Sequence, residues 1–215
     1  MQVFSRPAVL VIKLVLLGAI AIAGTALAIG AWRMSPRNTP YRIVAQPIPF
    51  SHKHHAGDDG IDCRYCHTSV EKSRYAGLPT TEICLTCHSQ LYQDAPMLAP
   101  LLESERAGTP IAWTRVHDLP DFVYFDHSIH VAKGVACIEC HGRVDQMPVT
   151  WRVASLEMQW CLACHRDPGP HLHRPDDVYA MHARTALTEP EIDELVKRYR
   201  IQPVARLTDC STCHR

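Results

Sequence analysis

All ten cysteines of this 215-residue chain fall in five C-x-x-C pairs, and a histidine follows each pair directly. They read Cys63-Arg64-Tyr65-Cys66-His67, Cys84-Leu85-Thr86-Cys87-His88, Cys137-Ile138-Glu139-Cys140-His141, Cys161-Leu162-Ala163-Cys164-His165 and Cys210-Ser211-Thr212-Cys213-His214. Two thiols at that spacing can add to the vinyl groups of one haem, and the adjacent imidazole is placed to ligate its iron. With histidine at 14 of 215 positions, five chance successes come to about one in a million. Structural zinc needs no histidine at a fixed next position. A thioredoxin-like dithiol occurs once, in a βαβ context, and a disulfide framework does not repeat one spacing five times. The sequence therefore predicts five covalent haems c. Cys63, Cys66, Cys84, Cys87, Cys137, Cys140, Cys161, Cys164, Cys210 and Cys213 form the thioethers, and His67, His88, His141, His165 and His214 are the proximal ligands.

Five irons also call for distal ligands, and nine histidines remain. Phe50-Ser51-His52-Lys53-His54-His55 and Phe125-Asp126-His127-Ser128-Ile129-His130 both fit F-x-H-x-x-H, ending 8 and 7 residues before Cys63 and Cys137. At i and i+3 two imidazoles share one helix face, so one short helix could serve two haems. His52, His55, His127 and His130 are the expected distal ligands, and His54 falls outside the spacing. For the fifth, His117 is the first candidate, with a loop histidine bonded to Asp118 as the plainer reading. Met147, Met181, His171 and His173 stay open. Bis-histidine iron has no free position, which suits electron transfer and not substrate binding.

The elements that must position these groups are sparse. Phe50 to Phe125 is 75 residues, Cys63 to Cys137 is 74 and Cys84 to Cys161 is 77, which marks a duplicated dihaem unit. Beyond Trp32 there are about 37 residues per motif and aromatics are only 7%, too little for a layered core. The expected fold is mainly α and irregular, with short helices and loops wrapped around haems. One longer helix is legible: Thr188-Glu189-Pro190-Glu191 is a capping box, followed by the stripe Ile192, Leu195, Val196 and Tyr199. That stripe is expected to pack on the fifth haem or on a partner.

At the amino end, Leu14 to Trp32 is 19 residues without a charge, enough to cross about 30 Å of hydrocarbon. A cleaved signal would use Ala26, Ala28 and Gly30, but the run exceeds a signal's apolar core. A retained anchor is preferred. Arg6 and Lys13 face Arg33, Arg37 and Arg42 across the run, so charge does not set orientation. Haem c is attached outside the cytoplasm, which puts the motifs on the periplasmic side of a single-pass inner-membrane protein. The 22 Lys+Arg against 22 Asp+Glu argue against nucleic-acid binding. The expected division is 1–33 anchor, 34–49 linker, 50–120 and 121–185 dihaem repeats, and 186–215 a helix with the fifth motif.

F-x-H-x-x-H followed by C-x-x-C-H resembles the class III cytochromes c, the c3 and c7 group. The resemblance implies that His52 serves the haem on Cys63/Cys66 and His127 that on Cys137/Cys140, while His55 and His130 reach other haems. The anchor, the five motifs and the segments Leu119-Pro120-Asp121-Phe122-Val123-Tyr124-Phe125 and Ser155-Leu156-Glu157-Met158-Gln159-Trp160-Cys161 resemble the pentahaem cytochrome subunit of alternative complex III. That likeness implies electron relay from a quinol-oxidising membrane complex toward a soluble periplasmic acceptor. It also implies an iron–sulfur/molybdopterin-like subunit, quinone-site subunits and a monohaem cytochrome as partners. Two other classes compete: a stand-alone membrane-anchored multihaem quinol dehydrogenase, and a multihaem reductase with one open iron. No catalytic residue is expected in the relay.

Overall fold

The computed structural model describes residues 5–34, 40–182 and 186–214. The chain divides into two compact units, Met1–Thr39 and Pro40–Arg215. In the first, helix α1 (Arg6–Arg33) carries Pro7 in its opening turn, where a missing N–H costs nothing. Its 28 residues reach about 42 Å at 1.5 Å each, and its most apolar stretch has mean hydropathy 2.4. No residue of α1 is buried and apolar groups face every side, which makes it long and apolar enough to span a membrane.

The second unit is a succession of short helices without a sheet among the described residues; only the isolated bridges Ile43–Trp151, Val123–His214 and Val135–Leu172 occur. A π-helical turn, Lys53–Asp58, precedes α2 (Cys63–Cys66), α3 (Thr81–His88) and α4 (Ala99–Ala107). Then come α5 (His127–Ala132), α6 (Cys137–His141), α7 (Met158–Arg166), α8 (Glu189–Arg198), α9 (Val204–Leu207) and α10 (Cys210–Cys213). Every C-x-x-C pair lies on a helical turn, which puts its two thiols on one face. Local capping explains where several turns begin. Asp62 and Asp209 accept from the backbone N–H of Arg64 and Ser211, and Asp126 accepts from that of Ile129.

The apolar core is thin. Its buried members are Ile48, Val70, Leu101, Ala136, Met147, Ala154, Leu172, Val178 and Leu195, scattered along the unit. So few cannot offset the chain entropy of a unit this size. The fold is that expected from the sequence: mostly helical and irregular, with one amino-terminal apolar helix.

Two elements differ from expectation. Residues 40–49 do not run free as a linker. Tyr41 N donates to Arg152 O at 2.6 Å, the Gln46 side chain pairs with the Thr114 backbone, and Ile48 is buried. Of the rest of that stretch, residues 35–39 lie outside the described residues. The α8 stripe also finds another surface. Its capping box forms between Thr188 and Glu191, but the helix packs on the 3-10 turn Gly169–His171, with Ile192 against Gly169 and Leu195 buried. Tyr199, at its end, lies over Gly134 and donates to His173 O at 2.9 Å.

Gly134 sits at φ +77° with the Tyr199 ring where a Cβ would go. Gly134→Ala is expected to destabilise the protein by about 2–4 kcal/mol, from left-handed backbone strain and overpacking together. Thermal unfolding followed by circular dichroism checks this, with a lowered Tm as the expected result.

Candidate functional site

The structure brings the expected imidazoles together in four pairs. His52 faces His67 with ring centroids 6.4 Å apart and planes 7° from parallel. His127 faces His141 at 6.4 Å and 12°. His55 stands 6.1 Å from His88, and His130 stands 6.2 Å from His165. A metal–imidazole bond of about 2.0–2.1 Å puts two rings bound trans on one ion at a centroid separation of about 6.3 Å. All four pairs lie at that separation.

The duplication seen in the sequence returns as duplicated geometry. Phe50 meets His52 edge-on at 4.9 Å and stacks on His55 at 4.4 Å. Phe125 meets His127 edge-on at 4.8 Å and stacks on His130 at 4.5 Å. The phenylalanine therefore fixes the angle between two imidazoles that look in different directions. One difference separates the copies: the second pair rides on the α-helix α5, whereas His55 lies in the wider π-helical turn that His52 caps.

Seven of the eight paired rings, and His214, are further held through Nδ1. His67 donates to Gly77 O at 2.7 Å, His127 to Arg74 O at 2.8 Å and His165 to Leu207 O at 2.9 Å. His55 and His130 donate to the carbonyls of Ser51 and Asp126, four residues back in each case. His88 and His214 donate to Leu91 O and Phe122 O at 3.2 Å, and His52 Nδ1 bonds the Thr150 hydroxyl at 2.8 Å. An Nδ1–H committed to a carbonyl selects the tautomer whose Nε2 lone pair is free for a metal. Burial acts in the same direction: it pushes His52 down to about 4 and His141 down to about 3. Both rings are then neutral, as metal ligands must be.

The fifth motif is built differently. The ring stacked on His214 is Phe122, at 5.8 Å. His117, the first candidate for its distal ligand, packs instead on His141 at 4.3 Å, with Nε2 buried and unpartnered. Nor do the alternatives turn to His214. His171 and His173 both bond the Glu139 carboxylate at 2.9 Å. Met147 is buried beside Lys53, and Met181 lines a small cavity with Ile61, Cys63 and Tyr179. Burial of Glu139 opposes its charge, but the bonds from His173 and His171 prevail and hold the carboxyl below its ordinary value.

Residues 123–215 match the family described as cytochrome c7 and related cytochrome c. Over 128 residues the chain is 34% identical to the "Menaquinone reductase, multiheme cytochrome c subunit" of Nitratidesulfovibrio vulgaris (strain Hildenborough). That alignment covers 59% of this chain and 54% of the relative, so the chain spans about half the length of the curated protein it matches. The carboxyl-terminal part of the chain is thus similar to c7-type multihaem cytochromes, a family that carries covalent haem c.

The residues present fit that group. The ten thiols are free. Among the described residues the buried Arg152, 5% exposed, leaves Nε and Nη2 without a partner, as does Arg74 at Nε. An uncompensated buried guanidinium is strongly unfavourable. The propionates of a haem are the anionic acceptors it lacks. Arg152→Met in the haem-loaded protein is expected to lower at least one midpoint potential by a few tens of mV, on the order of 1 kcal/mol, because loss of a cation favours the oxidised iron. A spectroelectrochemical titration reads the shift.

Proposed function

We propose that this chain is an electron-transfer subunit that carries five haems c and relays electrons from a quinol-oxidising membrane complex toward a periplasmic acceptor. The observation that carries the reading is the set of four imidazole pairs, all 6.1–6.4 Å apart and repeated in both halves. In it the ten C-x-x-C cysteines form the thioethers. His67, His88, His141, His165 and His214 ligate from the proximal side, and His52, His55, His127 and His130 ligate the first, second, third and fourth sites from the distal side. Haem c supplies one-electron redox chemistry when bound. The protein's own residues hold the rings: carbonyls, and for His52 the Thr150 hydroxyl, fix most of the imidazoles through Nδ1, and Phe50 and Phe125 wedge the two histidines of each F-x-H-x-x-H segment. Relay requires no acid, base or nucleophile from the chain.

The anchor α1, the repeats 50–120 and 121–185 and the extension 186–215 support an inner-membrane subunit with its haem domain on the periplasmic side. The relative's name makes it a subunit of a menaquinone reductase, which supports a membrane-complex setting here. Resemblance to the pentahaem subunit of alternative complex III carries the finer assignment, with iron–sulfur/molybdopterin-like, quinone-site and monohaem cytochrome partners. Phe122, rather than a histidine, beside His214 favours one local variant of the reading, an open iron at the fifth site.

Mass spectrometry of the denatured protein is expected to find five covalent haem additions, and Cys84→Ser/Cys87→Ser one fewer. No additions at these thiols would sink the proposal. Carbon monoxide added to the reduced protein is expected to bind at most one haem of five, since four irons are six-coordinate. Binding to several would refute the paired-histidine assignment.

A further inference from the structure

The chain lays its five motifs down in numerical order, yet the contacts between them follow another. The first motif touches the second directly: Tyr65 Oη and Thr86 Oγ1 are 2.8 Å apart. The pair is also bridged by one helical turn, with His52 turned to His67 and His55 to His88. On its other side the first motif meets the third. The Arg64 guanidinium lies 4.2 Å over the Tyr179 ring, and Tyr179 donates to Glu71 at 2.6 Å. The neighbouring Val178 carbonyl accepts from Cys137 N at 3.2 Å.

The third motif joins the fourth through α5, whose His127 faces His141 and whose His130 faces His165. The fourth joins the fifth through α9. His165 Nδ1 donates to Leu207 O at 2.9 Å, and Thr212 Oγ1 of the fifth motif donates to Arg206 O at 2.8 Å. Exposure of the thiols agrees with this succession. Cys87 of the second motif and Cys210 of the fifth are exposed, while the other eight are partly covered.

We infer that the five attachment motifs stand in single file in the order second, first, third, fourth, fifth, so that the second and fifth are the two ends of the row. The inference rests on the haem reading above and adds to it an arrangement. The two dihaem units meet through their first motifs, and the fifth motif extends the row beyond the fourth. The interior of the row is the first, third and fourth motifs.

The test uses the full-length, haem-loaded protein. His55→Met and His127→Met each mark one haem, because a methionine ligand raises its potential so that it takes the first electron in a dithionite titration. Charge on the marked haem then shifts the nuclear magnetic resonance signals of its direct neighbours. Marking the second motif is expected to perturb one other haem, that of the first motif. Marking the third is expected to perturb two, those of the first and fourth. A perturbation by His55→Met as large at the third or fourth haem as at the first would overturn the order.

A nitroxide on Tyr92→Cys gives a readout that leaves every ligand in place, since Tyr92 is exposed and 6.4 Å from His88. It is expected to broaden the haem of the second motif most and that of the fifth least. The reverse ranking refutes the file. Counting haems by mass beforehand keeps the two claims apart: five additions with the wrong neighbours defeat the order alone, and missing additions defeat the function.

Discussion

Much of the second unit answers to one distance, the 6.1–6.4 Å between four pairs of imidazole centroids, which is the separation that would let two rings hold one metal ion. The window is narrow, because the metal–nitrogen bond fixes it to a few tenths of an ångström. Holding eight rings inside it takes more than proximity. Each ring must be aimed, and the chain aims seven of the eight through Nδ1: four onto another segment, Gly77 for His67, Arg74 for His127, Leu207 for His165 and Thr150 for His52, and three onto a carbonyl three or four residues away. Segments that would otherwise be connectors thereby orient the paired rings.

That constraint explains the economy of the rest. A unit with nine buried apolar side chains among its described residues has little to gain from side-chain packing. The motif-bearing helices are only 4–9 residues long, and the turns between them are shaped by aspartate caps, prolines and glycines such as Gly134. The buried cations point the same way. Buried Arg152 leaves Nε and Nη2 without a partner, and half-buried Arg74, stacked over Tyr75 and Tyr124, leaves Nε so, which suits carboxylates that a prosthetic group would bring.

The repeat was legible because duplication preserves spacing, and the imidazole pairs followed from it: one F-x-H-x-x-H segment before each doubled motif is a local pattern. The fifth motif was not legible in this way. It has no such segment, so a ligand for His214 could be sought only by elimination, and elimination chose His117. Distance in sequence carries no information about that contact. His117 belongs beside His141 because the loop containing it folds over the third motif, whose burial lowers both rings. The α8 stripe was read correctly as an apolar face, but its period says nothing of what the face meets.

Sequence alone determined the chemistry: thiols and imidazoles in a fixed local spacing, a duplicated unit and an apolar helix at the amino end. These are properties of neighbours along the chain, where covalent geometry and helical period set the relation. The tertiary structure alone decided which motif stands beside which, what lies against His214, and that residues 40–49 join the second unit. Each of those depends on hydrogen bonds and packing between segments tens of residues apart, and no periodicity encodes such contacts.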